Sequence, residues 1–342
     1  MITIFNLDLQ TVFLCADIKM RPFFLILFII LCVPFFLFVF LEMNKIVIVK
    51  LGGAAITNKK GICELAPENE LSILLDQVAI AYKILKEAGH QLILVHGAGS
   101  FGHPQAVKYN LKSGWLFSQN ESNLPNSNYL KGYSHIRNCL QILCQKIVSK
   151  LEQRNVPALT MSPIDYIETI NCEETPSNEF ITMATRVNKY LSLGFVPVLH
   201  GDAVLDQIRG CTILSGDIIM YQLTQLLPQV CRCVFITDVC GIYKHDPKLY
   251  PDEDNELIQH IKIDSITDQQ DQQSSNNNDQ MTVADVTGGM QGKVKWAKKM
   301  VSHSEQNLDT VICRWGTVEA LDIMTLKAKL TPNATMTIFT KV

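Results

Sequence analysis

Short apolar runs that alternate along the chain with longer amphipathic stretches decide what this sequence can fold into. Lys45–Lys50 (KIVIVK) is a β-branched run that ends in Leu51-Gly52-Gly53, and Gln91–Val95 ends in the glycine-bearing loop His96–His103. Pro157–Thr160, Val196–His200, Cys231–Thr237, Thr310–Arg314 and Thr335–Thr340 read as further strands. In Glu68–Ala88 the apolar residues Leu71, Leu74, Leu75, Val78, Ile84 and Leu85 recur at helical spacing, and the pattern stops at Gly89. Asn126–Leu151, Glu179–Leu193, Ser215–Leu227, Lys293–Val301 and Val318–Lys327 read as helices in the same way. Strands in alternation with helices predict an α/β fold with a mainly parallel central sheet, and no internal repeat competes with that reading.

Composition narrows the function. With 342 residues and 47% hydrophobic content the chain can bury one large core or two modest ones. Charged residues are 18% of the total and the net charge is −3, so there is no broad basic surface for nucleic acid. Any phosphate chemistry must rest on a few placed lysines. The 11 cysteines include no C-x-x-C pair and no Cys/His cluster at zinc spacing, and they fit a reducing compartment. Cys231 and Cys233 fall on one face of a strand, where core packing is the simplest role.

Two segments stand apart from the folded domain. Residues 22–41 (PFFLILFIILCVPFFLFVFL) carry no charge and match the roughly 20 residues that cross a bilayer. A membrane anchor, a signal peptide and a non-native extension from an upstream start all fit residues 1–42; each leaves a complete domain from Met43 to Val342. Between Asp268 and Gln280 the sequence DQQDQQSSNNNDQ has no apolar residue, and a disordered surface insert is expected.

Four segments carry chemistry, each at the carboxyl end of a predicted strand or the start of a helix, where ligands gather in open α/β sheets. In Lys50-Leu51-Gly52-Gly53-Ala54 the glycines let backbone approach a phosphate and Lys50 supplies charge beside it. The spacing is not that of a Walker A loop. Val95-His96-Gly97-Ala98-Gly99-Ser100-Phe101-Gly102-His103-Pro104 crowds glycines after a strand. A lone loop histidine is ordinarily held by a local hydrogen bond, but after such a cradle His103 reads better as a donor to phosphate. Leu214-Ser215-Gly216-Asp217 opens a helix, with Asp217 either capping it or orienting lysines. In Thr287-Gly288-Gly289-Met290-Gln291-Gly292-Lys293, glycines precede a helix whose first turn carries Lys293.

Lys50-Leu51-Gly52-Gly53, Thr237-Asp238-Val239-x-Gly241-Ile242-Tyr243 and Thr287-Gly288-Gly289-Met290-x-x-Lys293, in that order, resemble the amino acid kinase superfamily. Gly99-Ser100-Phe101-Gly102-His103 narrows the resemblance to its isopentenyl phosphate kinases. The resemblance runs from about Lys45 to Phe339. It implies a three-layer α/β/α sandwich with an acceptor half (about 43–200) and a nucleotide half (about 201–342), ATP and Mg2+ as cofactors, and a homodimer. By the same resemblance Lys50, Leu51, Gly52, Gly53, Ala54, Lys59, Ala98, Asp238, Gly289 and Lys293 would face ATP. Gly97, Gly102, His103 and Gly216 would face isopentenyl phosphate, and His103, Lys50, Lys293 and Asp217 would serve catalysis. Two departures stand out: Ala54 replaces a frequent Ser, and Cys240 replaces the usual second Asp of T-D-V-D-G.

An acceptor that is itself a phosphate is already anionic and needs no strong base; repulsion between two polyanions is the obstacle, which lysines and loop amides offset. Use of ATP and the many cysteines lead us to expect the domain on the cytosolic side, so Asn120 and Asn333, both in N-x-[ST] sequons, are expected to stay unglycosylated. Removal of residues 268–280 is expected to leave phosphoryl transfer nearly intact, since the insert has nothing to bury; a steady-state assay of the deletion variant checks this.

Overall fold

The computed structural model describes residues 44–115, 124–245, 255–263, 288–327 and 335–342. The chain divides into a unit over Met1–Asn44 and a unit over Lys45–Val342. The apolar segment 22–41, the insert 268–280 and both sequon asparagines lie outside the described residues. Among the described residues no helix is long and apolar enough to cross a membrane.

The predicted strands form, with ends shifted by a residue or so: β1 (Ile46–Leu51), β2 (Gln91–His96), β3 (Ala158–Thr160), β4 (Val196–His200), β7 (Val230–Thr237), β11 (Asp309–Arg314) and β12 (Met336–Lys341). Five short strands escape the sequence reading: a hairpin of β5 (Asp202–Asp206) and β6 (Gly210–Leu214), the pair β8 (Ile242–Tyr243) and β9 (Leu257–Ile258), and β10 (His260–Ile263). Between the strands lie α1 (Gly53–Ile56), α2 (Glu68–Glu87), α3 (His103–Lys108), α4 (Ser127–Glu152), α5 (Ile181–Ser192), α6 (Gly216–Leu226), α7 (Gly288–His303) and α8 (Val318–Met324). Gly89, with φ +75°, ends the α2 region as its position predicts.

The central sheet runs β10-β12-β11-β7-β1-β2-β4-β3. Its pairs are parallel apart from β11 with β12. Alternation along each strand splits the core in two. Val47, Val49 and Leu51 of β1 face α2, α4 and α8 through residues such as Leu75, Leu143 and Ile323. Ile46 and Ile48 face the opposite layer of α5, α6 and α7, through Val187, Ile219 and Ala297. These are the layers of an α/β/α sandwich. Cys233 is buried in the second layer, in keeping with a packing role, while Cys231 at the strand edge is half-buried.

A third, smaller cluster joins Leu111, Tyr129, Ile136, Leu140, Ala203 and Cys211. It packs α4 against the β5–β6 hairpin, so residues after position 200 help build the acceptor side. Two tyrosines of the cluster keep their hydroxyls satisfied: Tyr129 donates to the Leu111 carbonyl at 2.9 Å and Tyr133 to that of Ala203 at 3.1 Å.

Leu75 is fully buried on α2 while Ile80 is exposed on the same helix. Leu75→Ala is expected to cost roughly 2–5 kcal/mol through lost contact and residual cavity, and Ile80→Ala to stay within about 0.5 kcal/mol. Urea unfolding of both variants measures the difference.

Candidate active site

Parallel strands deliver their carboxyl ends to one edge of the sheet, and β1 lies where the chain's path reverses: β2 is on one side and β7 on the other. The end of β1 is fixed from both neighbours. The Gly52 N–H donates to the Ile236 carbonyl of β7 at 2.9 Å, and the Gly97 N–H after β2 donates to the Leu51 carbonyl at 2.9 Å. The two glycine loops then touch backbone to backbone. A Cβ at Gly53 would lie 2.6 Å from the Gly99 nitrogen, and one at Gly97 would lie 2.7 Å from the Gly53 nitrogen. Glycine is required here for the loops to meet, before any question of a ligand arises. Thr57 locks the contact, its Oγ1 donating to the Gly53 carbonyl at 2.7 Å and accepting from the Ser100 N–H at 3.0 Å.

Above this junction opens a cavity of about 470 Å³, of the size that small ligands occupy. All the site residues proposed from the sequence line it except Leu51 and Gly289. Leu51 is fully buried in the core, because alternation along β1 turns its side chain away from Lys50. Gly289 belongs to the first turn of α7, which begins at Gly288. That start corrects the sequence reading: Gly288 and Gly289 lie inside the first turn of the helix, and Lys293 sits in the second turn and still reaches the cavity.

Lys50, Lys59 and Lys293 bring positive charge to the cavity, and Asp217 and Asp238 balance part of it. Lys50 donates to Asp217, and their side chains are only 9% and 14% exposed. Lys59 donates to Asp238 at the surface, with exposures of 49% and 34%. The first pair is therefore the inner, weakly screened one, and the second contributes little to stability. The Lys50 ammonium also lies 5.7 Å from the centre of the Phe235 ring. Burial, followed by repulsion from Lys50, holds Lys293 below the ordinary lysine range, and Asp217 and Asp238 oppose the shift. An anionic ligand would relieve that repulsion.

The alternatives for Asp217 resolve by geometry. The Ser215 side chain caps the helix, accepting from the Ile218 N–H at 3.3 Å, and Asp217 is left to hold Lys50. The N–H groups of Gly216 and Asp217, in the first turn of α6, have no intrahelical partner. A Cβ at Gly216 would fall 3.3 Å from Cε of Lys50, so a side chain there would press on the lysine.

His103 is the first residue of α3 and is exposed at the cavity. Desolvation in the cleft, then the charges of Lys112, Lys50 and Lys293, push its pKa below the ordinary histidine value. The imidazole is accordingly neutral near pH 7, with one N–H to donate. Ala106, Ile136, Leu140 and Ile213 make an apolar wall in the same cavity. Sequence reasoning missed this wall. Ile136 and Leu140, four residues apart on α4, are indistinguishable by spacing from the core positions Leu143 and Ile147.

Asp202, buried yet also bordering the cavity, accepts from Arg137. Burial raises the Asp202 pKa and Arg137 opposes the rise. His96 and His200 stack nearby with ring centres 5.3 Å apart, each directing Nδ1 to a backbone carbonyl, of Gly97 and Gly201, at 3.0 Å. As to metal, no three His, Cys, Asp or Glu side chains converge among the described residues. Asp217 and Asp238 are each engaged by a lysine, so the described residues offer Mg2+ no carboxylate cage.

The family model described as "Amino acid kinase family" matches residues 45–313. The chain belongs to the amino acid kinase family. Among curated relatives, this amino acid kinase is 34% identical over 249 residues to an isopentenyl phosphate kinase of Arabidopsis thaliana, covering 63% of this chain and 70% of that one. An isopentenyl phosphate kinase of Methanothermobacter thermautotrophicus is 32% identical over 253 residues, covering 73% and 84%. A solved structure described as "X-ray structures of isopentenyl phosphate kinase" superposes with a TM-score of 0.61 at 24% identity, covering 83% of this chain and 97% of that chain. An isopentenyl phosphate kinase substrate complex gives 0.59 at 22%, covering 86% and 99%. At such identities the structural likeness speaks for the shared fold, in agreement with the sandwich described above.

The stacked histidines of this kinase give its stability a pH dependence. Burial first, together with the partner ring, lowers His96 to about 3, and burial lowers His200 to about 4, from 6.5 in the unfolded chain. Stability is therefore full above about pH 6.5 and falls as pH drops towards 4, because there the unfolded chain binds protons that the folded one refuses. Urea midpoints between pH 7.5 and 4.5 are expected to fall, and His96→Gln to remove about one proton from the slope; an unchanged slope would mean that His96 is already protonated in the fold.

Proposed function

We propose that this amino acid kinase transfers the γ-phosphoryl group of ATP to isopentenyl phosphate, giving isopentenyl diphosphate and ADP. One observation carries the reading: a single cavity joins three lysines, a neutral histidine and an apolar wall. Lysines suit the phosphates of both substrates, and the wall suits a short hydrocarbon tail on the acceptor. The similarity to curated isopentenyl phosphate kinases over most of the domain supports the same acceptor.

In this reading Lys50 and Lys293 take the negative charge that builds up on the phosphoryl group in flight, and Asp217 holds Lys50 in place. Lys59, paired with Asp238, and the loop amides at Gly53 and Ala54 meet the nucleotide. His103 donates its N–H to the acceptor phosphate, fixing the attacking oxygen near Gly97, Gly102 and Gly216. No residue needs to form a covalent intermediate. Magnesium belongs to the proposal only as a companion of the nucleotide's phosphates, since the described residues offer it no cage. The acceptor half extends through the β5–β6 hairpin, whose Ile213 and Leu214 line the cavity. A homodimer and attachment to membrane through residues 22–41 are separate expectations, open to light scattering and to microsome partition.

The deciding experiment is ATP turnover by the full chain with isopentenyl phosphate, dimethylallyl phosphate and fosfomycin as acceptors. Isopentenyl phosphate is expected to give the highest kcat/KM; turnover on fosfomycin alone would replace the proposed acceptor with a phosphonate. His103→Ala is expected to lower kcat on the order of 100-fold with little change in the KM for ATP. Lys50→Ala and Lys293→Ala are expected to cripple transfer with both substrates saturating, because no neutral residue replaces a point charge. A His103→Ala variant with unaltered turnover would remove the histidine from the mechanism.

A further inference from the structure

Two thiols that phosphoryl transfer does not use lie against each other beside the acceptor loop. Cys63, in the segment between α1 and α2, is partly exposed; Cys139 on α4 is 4% exposed; their sulfurs are 3.4 Å apart. Among the described cysteines no other pair is in sulfur–sulfur contact. A disulfide holds its sulfurs at about 2.05 Å, so bond closure asks for an approach of about 1.4 Å. One turn earlier on α4, Nε2 of His135 lies 3.7 Å from the Cys139 sulfur.

Cys63 is also tied to the loop that leads to His103. Its N–H donates to the Ser100 carbonyl at 3.1 Å, and the Gln105 amide reaches both the Cys63 sulfur at 3.1 Å and that same carbonyl at 3.5 Å. The Glu64 N–H donates to Ser100 Oγ at 3.3 Å, and that hydroxyl donates back to the Glu64 carbonyl at 2.9 Å. Lys59 lies four residues before Cys63 in the same segment.

From this juxtaposition we infer that Cys63 and Cys139 form a reversible redox couple, closed to a disulfide by a peroxide and reopened by a thiol, which slows the enzyme when closed. The bond itself is independent of the kinase assignment; its effect on turnover rests on that assignment. Cys63, the more exposed residue of the pair, meets the oxidant. Its thiolate attacks one peroxide oxygen, the S–O bond forms as the O–O bond breaks, and the departing hydroxide takes a proton to become water. The Cys139 sulfur then attacks the sulfenic sulfur of Cys63, and the S–S bond forms as the S–O bond breaks. The hydroxide released takes up the proton that Cys139 loses by way of His135 Nε2. In sum, two thiols give up two electrons and two protons, and hydrogen peroxide becomes two waters.

The division of labour follows from burial. Desolvation, reinforced by the contact with Cys63, pushes the Cys139 thiol up to about 12, so it is inert towards oxidant on its own and acts as the resolving thiol. In a reducing compartment such a bond is transient. Closure displaces the segment that carries Lys59 and contacts Ser100, and a shift of about 1 Å in such supports costs up to the order of a hundredfold in rate.

The test treats the full chain with hydrogen peroxide, blocks remaining thiols with N-ethylmaleimide, and follows intact mass, cross-linked peptides and ATP turnover. The expected result is a mass loss of about 2 Da before blocking, one hydrogen atom from each thiol, a Cys63–Cys139 peptide, and a fall in turnover of tenfold or more on the order that misplacement gives. Dithiothreitol should reverse all three. Cys63→Ser and Cys139→Ser should keep basal turnover and form no cross-link, and Cys139→Ser should leave a Cys63 sulfenic acid that dimedone traps. Oxygen added to Cys63 with no bond to Cys139, or a bond to another cysteine, would overturn the couple. A correct cross-link with unchanged turnover would overturn its control of the enzyme. No turnover in the untreated chain with any acceptor would defeat the kinase assignment, while the mass data would still decide the bond.

Discussion

Backbone contact between the loops that follow β1 and β2 is the constraint on which the rest of the site depends. Gly53 and Gly99 come closer than any side chain would allow, and Thr57 bonds to both loops at once. Because β1 and β2 are adjacent and parallel, their ends are forced to the same edge of the sheet, and only small residues let both continue past it. The lysine of one loop and the histidine at the end of the other thus reach a common space. The same contact explains why these glycines are needed even with no ligand bound.

Electrostatics then organises that space. Desolvation and then the charge of Lys50 disfavour the charge on Lys293, and Asp217, which holds Lys50, opposes that shift. Three lysines and three aspartates border the open cavity, but Asp202 is engaged by Arg137, so the lysines are set against Asp217 and Asp238 and the array is left short of negative charge. The deficit is of the sign a polyphosphate supplies, and binding such a ligand lowers the energy of the lysines as well as that of the ligand. His103 belongs to the same field: desolvation in the cleft, and then the nearby cations, keep it a neutral donor.

Much of this was legible in the sequence because strand ends at active edges are marked by glycine. The loops after β1 and β2, and the start of α6, announced themselves through Gly52-Gly53, Gly97–Gly102 and Gly216. Pairings across the chain were not legible. Nothing local ties Lys50 to Asp217, which lie 167 positions apart, and only the fold shows Ser215 taking the capping role that frees the aspartate. The β5–β6 hairpin was hidden for a different reason: burial along β5 runs against polarity, with Leu205 exposed and Asp202 and Asp206 buried, Asp206 turning inward to accept from Thr169, Cys172, Ile208 and Arg209. The start of α7 was placed five residues late, since Gly288 and Gly289 read as a breaker although the structure makes them its first turn.

The length of α4 has an evolutionary consequence. The helix spans 26 residues and serves two masters: towards its C-terminus Leu143, Ile147 and Leu151 are set in the main core, while nearer its N-terminus Ile136 and Leu140 look into the cavity from a separate cluster. Volume can be added or removed at the N-terminal positions without opening a hole beneath the sheet, and the phosphate-facing loops, which grow from β1 and β2, take no part in the change. A catalyst arranged in this way can drift from one acceptor tail to another by redrawing half of one helix while its phosphoryl-transfer machinery stays fixed.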